Sequence, residues 1–284
     1  MPRSSTSLLS TLLLLAACAG GSGPDAAGPA ALAHPAGEER QLAYTQVDST
    51  ALAVDVGGEV VDVFILEDAA LDMAFAPTAG GVRVTAVWTG LDVEMTNPMG
   101  APERATEEDV EGPVVFTMDG RGRTEVVSLP ELQGRASQLV VPQAVAEGFF
   151  PRLPGTPPTP GMTWTDTVAY VADLPDAANT SETVMTYTVA GDTLVDGTTL
   201  LKVRMQGTGT LYQEGTTQGM DFFQNLTGTV EGYFLWDLGR GVMRYRRSEV
   251  EYGGTMDVTA APMPLAVTMR GVSHVRLMDE AGAG

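Results

Sequence analysis

Leu265-Ala-Val-Thr-Met-Arg-Gly-Val-Ser-His-Val-Arg-Leu277 reads as a β-strand. Leu265, Val267, Met269, Ser273, Val275 and Leu277 fall on one side, and Thr268, Arg270, His274 and Arg276 on the other. A period of two belongs to a pleated strand with one buried face. The run exceeds the roughly 5–6 residues of an ordinary strand, which suits a large curved sheet.

The same alternation recurs upstream. Leu71, Met73 and Phe75 share a face, as do Val82, Val84, Ala86 and Trp88. Further on, Met185, Tyr187 and Val189 share a face, and so do Leu201, Val203 and Met205. Gly57-Gly58 and Gly80-Gly81 read as turns between strands. Glu59 to Glu67 is denser in apolar residues and reads as buried on both faces. Asn97 to Gly112 is polar and reads as a loop, with Glu107, Glu108 and Asp109 solvated in it. Val114 to Met118 and Arg123 to Ser128 form a hairpin around Asp119-Gly120. Leu129 to Phe150 is the one helical stretch, with Pro142 placed in the first turn of a second helix. Pro151 to Gly161 carries five prolines in eleven residues and reads as a stiff connector.

These readings define a mainly β protein. Its antiparallel strands form curved sheets or an open barrel in two related halves, with a short helix between them. The organisation is a signal peptide over 1–17 and a disordered tether over 18–41. A first β half with a terminal helix follows over 42–150, then a Pro-rich connector over 151–163 and a second β half over 164–279. Both Phe116 to Gly122 and Phe234 to Gly241 place Asp before Gly and Arg, an internal echo that turn chemistry explains better than a duplicated site and that points to two related β halves. A membrane-embedded barrel is not expected: aromatic residues are 6%, and the tail Asp279 to Gly284 is no aromatic strand.

The chain of 284 residues has a net charge of −20, with 16 basic residues against 36 acidic. That charge opposes binding of the protein body to nucleic acid or anionic lipid. Lys202 is the only lysine and Cys18 the only cysteine, so no disulfide is available.

Met1, Pro2 and Arg3, the apolar run Leu8 to Leu15, and Ala16-Ala17-Cys18 follow the order of an export signal. The pattern resembles the lipobox of bacterial lipoproteins, which implies lipidation at Cys18 and attachment to the membrane through N-terminal acyl chains. Ala19, not Asp, follows the cysteine, and by the same resemblance this implies the outer membrane. Residues 19–39 hold almost no large apolar residue and read as unable to order themselves, with His34 given no role.

No catalytic constellation emerges. With His34 in the tether, His274 is the only histidine expected in the folded part, which gives little support to a histidine metal site or a Ser-His-Asp triad. No nucleophile elbow and no phosphate-cradling loop is present, and no metal or cofactor is expected. Arg240, Arg244, Arg246 and Arg247 form the one basic cluster; pairing with Glu249 and Glu251 accounts for it better than an anion site does.

Two stretches carry a second resemblance. One is Val114-Val115-Phe116 paired through Asp119-Gly120 with the strand Arg123 to Leu129; the other is Phe149-Phe150-Pro151 followed by Pro157-Pro158 and Pro160-Gly161-Met-Thr-Trp164. Together they resemble uncharacterised β-rich envelope lipoproteins of a domain-of-unknown-function family, which implies a β-rich fold and no known activity. A more distant analogy of fold is to the LolA/LolB-type carriers, whose curved half-barrel shelters acyl chains. The expected function is an outer-membrane-anchored, non-enzymatic module that binds an apolar small molecule or an envelope protein. Its expected binding face is apolar and holds Phe75, Trp88, Met205, Val267 and Met269. The alternative is an envelope hydrolase using a carboxylate pair that the sequence does not single out.

Overall fold

Gly57 and Gly58, with φ of +67° and +96°, close a two-residue turn. Such a turn needs positive φ at both positions and matches the twist of the strands it joins. It leads β1 (Arg40–Val56) back into β2 (Glu59–Thr78). Its geometry sets a register that holds from Val56 opposite Glu59 to Arg40 opposite Phe75. The computed structural model describes residues 30–37, 39–98, 100–174, 177–217, 220–259 and 263–278. Cys18, the expected signal peptide over 1–17, the first part of the expected tether and the tail from 279 lie outside the described residues.

The remaining elements continue this meander. β3 (Gly81–Thr96) is followed by β4 (Glu103–Thr106), β5 (Val110–Glu111), β6 (Val114–Met118), β7 (Thr124–Ser128) and β8 (Glu131–Leu132). Two short helices come next, α1 (Ala136–Leu139) and α2 (Pro142–Gly148). The chain then runs through β9 (Thr163–Leu174), β10 (Ala177–Val195), β11 (Thr198–Thr217), β12 (Met220–Asp237), β13 (Val242–Val258) and β14 (Leu265–Leu277). One antiparallel sheet takes the order β7-β6-β3-β2-β1-β14-β13-β12-β11-β10-β9, with β4 also on β3 and β5-β8 as a separate ribbon. The two halves join where β1 pairs with β14, Tyr44 opposite Leu277.

The sheet curls into a half-barrel, and inward-facing glycines allow the curl. A methyl group on Gly228, Gly232 or Gly254 would collide with the backbone oxygen of Glu251, Arg247 or Asn225 respectively. Glycine is the residue that lets backbones approach this closely. The two edges, β7 and β9, do not pair. Helix α2 packs against β6, β7 and β9 across the gap, and the Arg123 Nη2 to Asp166 Oδ2 bridge of 2.9 Å ties the rims. Part of each open edge is thereby covered, which limits its pairing with other chains.

The inner face holds the core. Leu71, Met73, Val84, Phe116, Tyr187, Val203, Phe234 and Trp236 are buried in its main cluster. Phe149 and Phe150, at the end of α2, are the plug: their rings meet edge-on at 5.0 Å, and Phe149 meets Tyr44 at 5.2 Å. A second, smaller cluster gathers Val54, Leu226, Tyr252 and Val267 nearer the Gly57-Gly58 turn. Much of the outer face is polar or charged, including Asp62, Asp72, Arg204, Glu231 and Glu251. That is the reverse of a membrane barrel, whose apolar band faces outward.

Several expectations change here. Glu59 to Glu67 is not buried on both faces: Val60, Phe64 and Leu66 are 58%, 50% and 57% exposed. Even-numbered residues of β2 face out, and nothing described covers them at this end. Within Leu129 to Phe150, by contrast, Pro142 opens the second helix, α2, as expected, since its missing N–H costs nothing in a first turn. The loop Asn97 to Gly112 contains β4, β5 and one 3-10 turn over Glu107–Asp109, where Asp109 accepts from the Thr106 backbone N–H at 2.9 Å.

The expected tether to residue 41 is also corrected. Residues 40 and 41 belong to β1, and residues 31–36 form a docked strap. Leu32 is fully buried; its N–H donates to the Thr156 carbonyl at 2.9 Å, and its own carbonyl accepts from Gly155 at 3.1 Å. His34 donates its backbone N–H to the Gly120 carbonyl at 2.8 Å and packs edge-on against Trp236 at 5.0 Å. His34 is therefore a second histidine in the folded part. Two buried side chains among small residues are enough to order the strap because the sheet end supplies ready carbonyl and aromatic partners.

Candidate functional site

One feature of chemical interest lies outside the barrel. A curled sheet is saddle-shaped, so its outer face is also hollow along one diagonal. Across β12, β13, β14, β1 and β2 this produces a groove of about 620 Å3. Phe64, Leu66, Ala51 and Val272 give it an apolar floor; Glu231, Glu249 and Glu251 give it an acidic wall. Arg270 binds Glu251 through its Nη2 at 2.8 Å, and Arg247 binds Glu249 at 2.6 Å. Glu231 has no cation beside it among the described ion pairs, so the wall keeps a negative excess.

A second feature lies inside. Asp48 on β1 stands directly opposite Glu67 on β2 and, on its other side, opposite Ser273 on β14. All three point into the hollow between the two apolar clusters. Gln46 donates its side-chain N–H to Asp48 Oδ2 at 2.7 Å, while Asp48 Oδ1 and Ser273 Oγ are buried without a partner among the described residues. Burial, and then the neighbouring Asp48 carboxylate, push the Glu67 carboxyl up to about 7. On the next inward row, opposite Val275, Arg246 donates to the carbonyl oxygens of Gly148 and Phe149 at 2.6 and 2.5 Å, holding the end of α2.

The five residues expected to form an apolar binding face are all turned inward, but they do not form one face. Phe75, Trp88 and Met205 belong to the main core cluster, Val267 to the smaller one, with Met269 packed against it. Their side chains fill the space that a carrier would leave open. A cavity beside His34 and Phe150 measures about 20 Å3, roughly one water. The basic cluster divides: Arg246 serves α2 inside, Arg247 pairs with Glu249 outside, and Arg240 lies in the β12–β13 turn. His274 accepts or donates through Nδ1 to the Tyr245 hydroxyl at 2.7 Å on the outer face.

The motif residues have structural work. The Asp119 Oδ1 accepts from the backbone N–H groups of Arg121 and Arg123 at 2.8 and 2.9 Å, and Asp237 Oδ1 accepts from Arg240 at 3.0 Å. The internal echo is thus the same aspartate turn chemistry used twice. Trp164 donates its indole N–H to the Arg152 carbonyl at 2.9 Å and stacks on Tyr187 at 5.2 Å.

Neither the groove nor the carboxylate pair was singled out from the sequence. The pair had a signal: counted from the Gly57-Gly58 turn, Asp48 and Glu67 are equally distant along the hairpin. The groove had none, because its walls come from five strands whose outer faces meet only after the sheet coils.

No family model matches the chain, and no curated protein matches it. Among solved structures, Pseudomonas aeruginosa OccK2 (OpdF) in complex with glucuronate aligns with a TM-score of 0.28 and 8% identity, over 84% of this chain and 98% of that one. OccK8 (OprE) of the same organism aligns with a TM-score of 0.20 and 8% identity, over 84% of this chain and 98% of that one. The anion-selective porin from Comamonas acidovorans aligns with a TM-score of 0.20 and 9% identity, over 85% of this chain and 100% of that one. At TM-scores this low the likeness carries no argument about fold or function.

Proposed function

We propose that this chain is a non-enzymatic module of the bacterial cell envelope, anchored in the outer membrane through acyl chains on Cys18, that docks a segment of a partner protein in its outer groove. The observation that carries the reading is the exposure of Phe64 and Leu66 beside Glu231, Glu249 and Glu251 in a groove of about 620 Å3. Exposed large apolar side chains gathered in a polar rim favour an interaction surface over a solvated face. The acidic wall selects a segment that carries apolar side chains and a basic one. An apolar small molecule held inside the sheet is less well supported, because the inward side chains pack on one another.

The test is photocrosslinking in the lipidated protein. A crosslinking residue at Phe64 should give a discrete adduct with an envelope protein, and the adduct should disappear with Leu66→Glu. The same residue at Thr208, on the outer face of β11, should give none. Equal adducts from both positions, or none from Phe64, would sink the docking reading. Cys18→Ser should release the chain from membranes; unchanged partition would remove the anchor.

One observation favours the hydrolase alternative, namely the Asp48–Glu67 pair. Opposed residues in an antiparallel sheet have Cβ atoms about 4.5–5.5 Å apart, within reach of paired acid–base chemistry. The two readings part at Glu67→Gln. A hydrolase loses turnover with that change; a docking module keeps its Phe64 adduct.

A further inference from the structure

We infer that the end of the half-barrel where the strap lies is a peptide-binding groove. Its ligand is a short Leu-x-His-Pro segment, and the strap of a second copy exchanges with the chain's own. This groove is separate from the outer one, and the inference does not rest on docking there.

The strap sits at this end as a ligand sits in a site. Its contacts are concentrated in three residues. Leu32 is fully buried and exchanges main-chain bonds with Thr156 and Gly155. The His34 ring lies between Trp236 and Phe150, at 5.0 and 5.5 Å, and its Nε2–H donates to the Pro151 carbonyl at 3.1 Å. Pro35 packs on Gly241 of the β12–β13 turn. Ala31, Ala36 and Gly37 on either side are exposed. A few buried anchors with small, indifferent neighbours are the pattern of a docked peptide. The histidine points the same way. Its desolvation is offset by one carbonyl acceptor, whereas an apolar ring would fill a permanent core position without that cost.

The walls of the groove hold one another without the strap. The Leu153 N–H donates to the Arg121 carbonyl at 2.9 Å, which ties the connector to the β6–β7 turn. The Gly241 N–H closes the β12–β13 turn on the Asp237 carbonyl at 2.7 Å. The Phe150 ring meets Phe149, Phe75 and Tyr44 at 5.0, 5.9 and 6.0 Å. Two glycines fit the groove to its ligand. A methyl group on Gly122 would stand 2.9 Å from His34 Nε2, and one on Gly241 2.7 Å from the Pro35 Cγ. Only residues 37–39 join the strap to β1. The occupant in trans is a second copy because this chain carries the segment that the groove already holds. Residues 31–36 contain no carboxylate, so an incoming strap adds no charge to the acidic protein that receives it.

The experiment uses the full chain, with Cys18→Ser to keep it in solution and a protease recognition site inserted after Gly37. After cutting, the barrel should keep its β circular dichroism. A fluorescent synthetic peptide of residues 30–37 should then replace the bound strap, as read by anisotropy. Peptides with Leu32→Ala or His34→Ala should compete about tenfold less well or worse. Cut chain separated from its strap, mixed with uncut chain, should form dimers in sedimentation that excess peptide dissolves. Uncut chain with Leu32→Ala should form none. Raised salt should favour the dimers, since each copy carries a net charge of −20. A strap that stays in place for days after cutting, or a barrel that loses its β spectrum on cutting, is a structural segment and overturns the inference. Exchange that ignores the leucine and the histidine overturns it as well. Mixtures that stay monomeric at every concentration, although the peptide exchanges, overturn the second copy as the occupant.

Discussion

Asp48 and Glu67 face each other across β1 and β2, two carboxyl groups on neighbouring strands turned into the same hollow. Like charges directly opposed in a sheet are destabilising, and here the pair is relieved by keeping a proton on Glu67, whose carboxyl is pushed up to about 7 by burial and then by Asp48. A carboxyl that holds its proton more tightly in the folded state stabilises the fold below the ordinary glutamate range. That contribution is lost as pH rises from about 4.5 to about 7.

Glu67→Gln should therefore raise the melting temperature at pH 8 and leave it nearly unchanged at pH 4. The upper limit of the gain is about 3 kcal/mol, before discounting for partial exposure. Thermal unfolding followed at both pH values checks this. A variant that is destabilised at pH 8 would show that the carboxyl makes contacts the fold needs.

His34 supplies the opposite slope. Burial is the main reason its imidazole is lowered to about 4, and the Pro151 carbonyl only partly offsets it. A base that binds protons less well when folded contributes stability above its ordinary value near 6.5, and that contribution is lost as pH falls toward 4. In the wild type the two slopes oppose each other between about pH 4.5 and 6.5. Glu67→Gln should expose the histidine slope, and His34→Gln the glutamate slope. Parallel pH profiles for the two variants would contradict the assignment.

The strap should be part of the folding unit. Leu32 is fully buried in the main core cluster, and Leu32→Ala should cost about 2–5 kcal/mol. A chain truncated to begin at Glu38 should lose at least as much, because His34 leaves with it. Chemical denaturation of the truncated and full chains measures the difference; equal midpoints would return residues 31–36 to the status of a tether.

The curl rests on glycine. Gly228→Ala places a methyl group against the Glu251 carbonyl oxygen and the Tyr252 backbone, and the strands must move apart to admit it. The expected cost is about 1–3 kcal/mol or more. Gly239→Ala, in the exposed β12–β13 turn, meets nothing nearer than the Asp237 carboxylate at 3.4 Å and should be close to neutral. Equal effects of the two substitutions, read by thermal unfolding, would disprove the steric account.

Much of this architecture is written locally. The period of two in Leu265 to Leu277 marked β14 from end to end, and Gly57-Gly58 and Asp119-Gly120 marked their turns, because side-chain alternation and turn chemistry are properties of a few adjacent residues. The same local rule places Asp48 opposite Glu67 once the turn is accepted. Helix capacity at Pro142 and the extended connector with its five prolines are likewise local. What adjacent residues do not carry is which face of a strand stays covered. Val60, Phe64 and Leu66 resemble core residues in sequence and are exposed, whereas Leu32 and His34 lie among alanine, glycine and proline and are buried. Burial at these positions depends on how a twelve-stranded sheet coils and on what its far strands bring near. The groove shared by β12, β13, β14, β1 and β2, the covering of the β7 and β9 edges by α2, and the docking of the strap are all contacts between distant parts of the chain, and only the tertiary structure decided them.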